Sequence, residues 1–344
     1  MHVPDHMLND PTSAATGAVA CAAIAYAAYR SREDLTRQRI ALTAATGAVV
    51  FALQMVNYPV AAGTSGHLMG GVLAAALVGP WLGMLAVTLV LLVQATLFAD
   101  GGLTALGTNT LLMAVTGVAV GWAVTQAVQH LRGAGSRDGA ATSGASAARS
   151  ASLSTPRSAP LAAGLGALVS VPASAAVFVA LFAAGGAVSV PLGELTASML
   201  SVHALIGLGE ALITAGVIAV VLAVAPGAAH IDPRPAQSWV QAPARRAVLA
   251  LSAIAAVTAV GLSSFAASSP DGLEATAEQL GFLDVASQHA LAGLPFADYG
   301  AASGSPVGLA GLLGIVVVAG LAAAMLGAAR SDRSGSYRTV KERS

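Results

Sequence analysis

Charge is what this chain of 344 residues has least of: Asp, Glu, Lys and Arg together make up 9% of it, against roughly 25% in a soluble globular domain. A water-facing surface of ordinary polarity cannot be built from that supply. Aromatic residues are also scarce, at 4%, so close packing has to come from the abundant Ala and Gly, which let helix backbones approach one another. A single cysteine, Cys21, excludes a disulfide framework and a thiolate metal cluster. Because it lies in an apolar run, it is expected as a small core residue. The one lysine, Lys341, stands in the tail. A P-loop needs Gly-x4-Gly-Lys-Ser/Thr so that its lysine can reach the phosphates, so ATP hydrolysis by that route is excluded. No His-Glu-x-x-His occurs either, which sets aside an intramembrane metalloenzyme of that type. Finally, MHVPDHMLNDP has no basic stretch, and the apolar run begins only after Pro11. That is not the pattern of a signal peptide, and Met1 is expected to survive, since the bulky His2 disfavours its removal.

Hydrophobicity is what the chain has in abundance. A membrane-crossing helix takes roughly 20 consecutive apolar residues, and candidate spans lie near 12–29, 40–57, 67–79, 80–99, 104–131, 159–184, 196–226, 247–267 and 306–328. The stretch 67–79 is short and reads as a broken or re-entrant helix. The sixteen Lys and Arg fall in four clusters, at Arg30–Arg39, Arg132–Arg157, Arg234–Arg246 and Arg330–Arg343. With nine spans and an outward N-terminus, every cluster falls on the cytoplasmic side. The expected fold is therefore all-α and polytopic, embedded in lipid with the C-terminus inside, and nothing suggests a nucleic-acid partner.

Composition divides the chain unevenly. Residues 1–226 hold seven spans, interrupted by a Ser/Ala/Gly/Arg-rich stretch at 132–157 that reads as flexible linker. A polar connection at 227–246 leads to a helical hairpin at 247–329 and a basic tail at 330–344. The hairpin's outer loop carries Asp271, Glu274, Glu278, Asp284 and Asp298 without a Lys or Arg. It either attracts divalent cations or keeps an exposed loop soluble.

The residues able to carry chemistry gather at the start. An outward Met1 offers a free α-amine with a pKa near 7.7–8.0, and His2 adds an imidazole one residue on. With the His2 amide deprotonated, three nitrogens form fused chelate rings, an array that suits Ni(II) or Cu(II). A fourth nitrogen must come from elsewhere, and His67, after the bend-forming run Gly63-Thr64-Ser65-Gly66, is the obvious donor. A terminal His is otherwise often a solvated residue. His6 reads as a ligand, a supporting residue or a surface residue. Asp5, Asn57, Thr64, Ser65, Gln94, Asp100, Thr108 and Asn109 stand near the outer ends, where several are expected to hydrogen-bond the His67 loop and orient its ring. His203 and Glu210, seven positions apart, share one helical face; they could relay protons or metal, or fix helix packing through hydrogen bonds.

MHVPDHML, together with the runs Asn57–Trp81, Val93–Asn109 and His203–Thr214, resembles the CbiM/NikM family, the substrate-capture components of energy-coupling-factor transporters for cobalt and nickel. The likeness spans most of residues 1–226, with the motifs in the family's order. It implies a seven-helix unit with its N-terminus plugged into the core, where the Met1 amine, the His2 amide and imidazole and the His67 imidazole bind the ion as transported substrate, with no permanent cofactor. It also implies a bacterial cytoplasmic membrane, a membrane transducer subunit and cytoplasmic ATPase subunits as partners. One departure is His6, where the family usually has Gly; another is the low-complexity stretch at 132–157. Pro270-Asp271-Gly272-Leu273-Glu274 resembles the motif of the PDGLE two-helix domain, similar to the accessory component of such transporters. This would help load metal or keep the N-terminal ligand loop mobile. A gradient-driven secondary transporter using His203 and Glu210 is the alternative.

Overall fold

The computed structural model describes residues 1–61, 63–141, 158–232, 241–300 and 306–341. Helix α1 (Asp10–Ser31) starts where Asn9 caps it, accepting a hydrogen bond from the Thr12 N–H, with Pro11 in the first turn. It packs along one side only, so Cys21 is exposed on its outer face. The expected core placement of that cysteine is thereby corrected: an apolar run facing lipid looks the same as one facing protein.

Seven helices among the described residues are long and apolar enough to cross a membrane: Asp10–Asp34, Pro80–Phe98, Leu106–Arg132, Ser158–Gly185, Leu192–Val224, Pro243–Phe265 and Val307–Ser331. The two other expected spans take different forms. Helix α2 (Arg37–Gln54) covers most of 40–57 and is buried from Leu42 to Ala52. Its Thr43 and Thr46 hydroxyls donate to the Arg39 and Leu42 carbonyls one turn back, so neither carries an unsatisfied donor into the core. The stretch 67–79 is an irregular loop followed by α3 (Gly71–Val78). At about 12 Å this helix is far short of the ~30 Å hydrocarbon core, as a broken span requires.

Between α2 and α3 the chain makes a small antiparallel hairpin, β1 (Tyr58–Ala61) with β2 (Thr64–Gly66), pairing Tyr58 with Gly66 and Pro59 with Ser65. Helix α4 (Pro80–Val93) ends in a π-helical turn, Gln94–Phe98, and a left-handed Ala99 at φ 52°. The chain returns through α5 (Leu106–Asn109) and a second π turn, Thr110–Thr116, into α6 (Gly117–Ala141). Helix continues into the first part of the expected linker, and residues 142–157 lie outside the described residues. Helices α7 (Ser158–Gly185) and α8 (Leu192–Val224) pack against each other along their length.

The second unit is the expected hairpin, α9 (Gln241–Val257) and α11 (Val307–Lys341), and both helices pack on α2. Residues 233–240 of the connection and 342–344 of the tail, with Arg149, Arg157 and Arg234 of the basic clusters, lie outside the described residues. The loop between α9 and α11 is folded against the first unit. It contains α10 (Gly272–Gln279), and Leu273, Ala277 and Phe282 are buried. The Phe282 ring sits 5.2 Å from that of Phe182 near the C-terminal end of α7.

Candidate metal centre

The first eight residues thread into the molecule: Met1, Val3, Met7 and Leu8 are all buried. Backbone groups taken inside protein need partners, and the segment has them. Asn109 serves both edges of Val3, its Oδ1 accepting from the Val3 N–H at 2.7 Å and its Nδ2 donating to the Val3 carbonyl at 3.0 Å. The Gly102 N–H donates to the same carbonyl. A Cβ at Gly102 would lie 2.3 Å from the Asp5 nitrogen, so only glycine lets the segment pass so close. Asp5 Oδ1 accepts from the Thr104 N–H and hydroxyl, each at 2.7 Å.

Pinned in this way, Met1 and His2 meet His67. The Met1 amine hydrogen-bonds His67 Nε2, and the His2 and His67 rings stack with centroids 4.7 Å apart and planes 20° from parallel. His67 Nδ1 lies 3.0 Å from the Leu68 carbonyl. A carbonyl only accepts, so Nδ1 carries the hydrogen and Nε2 keeps the lone pair that faces the amine. The loop is held from beneath by Glu210, whose Oε2 accepts from the Met69 N–H at 2.7 Å and whose Oε1 accepts from the Gly70 N–H at 3.0 Å. Gln54 adds a bond to the Met69 carbonyl. The partner that orients the His67 ring is thus the chain's own Leu68 carbonyl, whereas the polar residues at the outer ends serve other bonds.

Those residues divide by task. Ser65 ties β2 to the second unit, its N–H donating to the Pro270 carbonyl at 2.9 Å and its hydroxyl to the Ser269 carbonyl at 2.7 Å. Gln94 donates to the Tyr299 hydroxyl, and the Thr108 hydroxyl bonds that of Thr16 on α1. Asn57 receives the Ala267 N–H at its backbone carbonyl, while Thr64 opens β2. His203 is buried beside the site, with Nδ1 2.8 Å from the Met199 carbonyl and Nε2 without a partner. Glu210 holds the His67 loop and does not bond His203.

His6 is exposed and lies at φ 62°, left-handed backbone that glycine adopts freely. A side chain there costs about 1–2 kcal/mol, which accounts for the Gly usual in the resembling family. His6→Gly is expected to raise stability by about 1 kcal/mol at most, since glycine's freedom in the unfolded chain offsets part of the relief. Thermal unfolding in detergent checks this.

Three residues at the site had no sequence signal as a group. Asp271 Oδ2 lies 3.3 Å from the Met1 amine and 3.7 Å from His67 Nε2. Asp100 Oδ1 lies 3.2 Å from His2 Nδ1, and its Oδ2 accepts from the Tyr299 hydroxyl at 2.7 Å. Burial pushes the His2 imidazole down to about 4, against the pull of Asp100. The ring is therefore neutral near pH 7, the form in which it can ligate a metal. Burial alone would raise the Asp271 carboxyl; the charge of the adjacent Met1 ammonium outweighs it and holds the group well below the usual carboxylate range. Among the described residues no cluster of three or more His, Cys, Asp or Glu is arranged to hold a metal. A cation site here therefore needs terminal or backbone nitrogen as well. The centre provides it: an amine against an imidazole lone pair, a second imidazole stacked alongside, and His2 Nε2 buried without a partner.

Comparison with known proteins gives a consistent picture. Residues 2–228 match the family model CbiM, described as the cobalt uptake substrate-specific transmembrane region, and residues 245–331 match the PDGLE domain. A relative in Archaeoglobus fulgidus, provisionally named fused nickel transport protein NikMN, is 32% identical over 345 residues, covering 96% of this chain and all of the relative. The fused nickel transport protein NikMN of Rhodobacter capsulatus is 42% identical over 125 residues, 36% of each chain. Among solved structures, a transition metal transporter is similar with a TM-score of 0.54 and 26% identity, over 65% of this chain and 93% of that one.

Proposed function

The chain belongs to the CbiM family of cobalt-uptake substrate-specific transmembrane proteins, and from that premise we propose that it captures Ni(II) or Co(II) at the outer face of the membrane for import. The observation that carries this reading is the Met1 amine set against the His67 Nε2 lone pair with His2 stacked beside it. Amine, His2 amide, His2 imidazole and His67 imidazole are the four nitrogens of the capture site. The first three close a five-membered and a six-membered chelate ring. His2 Nδ1, which closes the larger one, faces Asp100 in the metal-free chain and has to leave that carboxylate as the ion binds. A planar nitrogen set of this kind suits Ni(II), in keeping with the nickel named for both fused relatives. The chain provides capture rather than chemical conversion, and the reading gives it an outward N-terminus and cytoplasmic basic clusters. Energy comes from a membrane transducer and cytoplasmic ATPase subunits, since the one lysine stands in no P-loop. The gradient-driven alternative needs Glu210 free to exchange protons, and both of its oxygens hold the His67 loop.

The test is nickel bound per chain, by isothermal titration and elemental analysis of protein purified in detergent with its N-terminus free. The parent is expected to bind one ion and His67→Ala none. Unaltered stoichiometry and affinity in His67→Ala would reject the site.

A further inference from the structure

The outer loop of the second unit meets the metal centre at several points. The Pro270-Asp271-Gly272-Leu273-Glu274 motif is a helix cap: Asp271 Oδ1 accepts from the Leu273 and Glu274 N–H groups at 2.7 and 3.0 Å, and Glu274 Oε2 accepts from the Asp271 N–H. One carboxylate oxygen is thus committed to α10. The other, Oδ2, is aimed away from the helix at the Met1 amine and His67 Nε2. The cap is seated by the bonds from Ser65, two residues before His67. Seating also requires Gly272, where a Cβ would come within 3.0 Å of Val202, Ile206 and His203 on α8. Farther along the loop, the Ser287 N–H donates to the Asp5 carbonyl at 3.1 Å, and Tyr299 holds Asp100 against His2.

We infer that the PDGLE unit supplies Asp271 to the metal site as its counter-charge, facing the Met1 ammonium in the metal-free chain and the divalent ion after capture. The inference rests on the capture reading above. Its physical basis is the cost of a buried charge without an opposite one. The amine and imidazoles of the site are neutral ligands and the deprotonated His2 amide brings only one negative charge, so a divalent ion arriving from water needs further negative charge close by. Asp271 is 7% exposed, and its position is fixed by backbone bonds before any ion arrives, so it offers that charge without rearrangement.

Asn also caps helices well, so Asp271→Asn removes the charge and keeps the fold. The experiment titrates nickel chloride into the full chain in detergent for the parent, Asp271→Asn, Glu274→Ala and His67→Ala. Expected are a Kd at least about tenfold weaker for Asp271→Asn, in the range that ligand-supporting residues of metal sites contribute, and a Kd within about threefold of the parent for Glu274→Ala, which loses only the cap's return bond. Parental affinity in Asp271→Asn, with binding lost in His67→Ala, overturns the inference while leaving the capture site standing. Equal losses in Asp271→Asn and Glu274→Ala overturn it as well, because they assign Asp271 to the helix alone. Retained binding in His67→Ala removes the capture reading and the inference with it.

Discussion

Two residues added ahead of Met1 are expected to lower nickel affinity at least about a thousandfold, equivalent to about 4 kcal/mol. Met1 is only 3% exposed, and its amine is enclosed by His67 and Asp271. An extended chain would have to place a peptide bond where the amine belongs. That bond cannot offer a lone pair to the ion as an amine does, and the extra residues have no room among Val3, Gly102 and Asn109, where the segment is already bonded on both edges. Two residues are the better probe. One would make His2 the third residue of the new chain, from which an amine, two amides and an imidazole could close a four-nitrogen chelate of their own. The measurement is nickel titration alongside thermal unfolding, the latter to establish that the helices still assemble. Affinity within tenfold of the parent would defeat the amine-chelate model while leaving transport by another site open.

The second large effect is expected at Glu210. Its carboxylate lies fully inside the protein and accepts the Met69 and Gly70 N–H groups, one on each oxygen. Glu210→Ala leaves both donors buried without an acceptor, at about 1–3 kcal/mol each, and releases the loop on which His67 depends. The expected result is a loss of about 3–5 kcal/mol of stability together with nickel binding. Glu210→Gln keeps one acceptor oxygen and should fall between parent and Ala in both respects. A proton relay predicts something else: Gln as damaging to transport as Ala, with stability unchanged. Thermal unfolding and nickel titration of the two variants separate these outcomes, and parental stability in Glu210→Ala would remove the loop-holding role.

Much of this architecture was legible without coordinates, for reasons that differ by feature. Long apolar runs have few alternatives to crossing a membrane, so the long helices and the C-terminal hairpin followed directly. The shortness of 67–79 foretold the broken span, and Gly63 to Gly66 foretold a bend, though not that it would be a β-hairpin. Met1, His2 and His67 could be paired because each carries its chemistry in its residue type. What could not be read was which surfaces meet. Hydrophobicity alone does not distinguish Cys21 facing outward from Val49 at the centre of α2. Asp271 belongs to a motif whose local meaning is a helix cap, and nothing in Asp-x-x-Glu shows that the cap's second oxygen lies against a residue at the other end of the chain. Tyr299 and Asp100 were hidden in the same way. Their bond joins loops of different units, and the segment that presents the tyrosine holds Asp298 and Tyr299 at φ 47° and 52°, a strained conformation that no propensity would suggest.

The burial of Met1 between residues made early and residues made late also sets a schedule for biogenesis. Met1 is made before His67 and Asn109, and Asp271 follows 270 residues after Met1. At ~5–20 residues per second, roughly 15–50 s separate the first residue from its last partner. Any enzyme that trims or acylates the first residue has that interval in which to act, and completed docking closes it. On the capture reading, a chain whose Met1 amine is blocked in that window is expected to lose its nickel binding. On that reading the capacity to load is set during translation, before any ion is met.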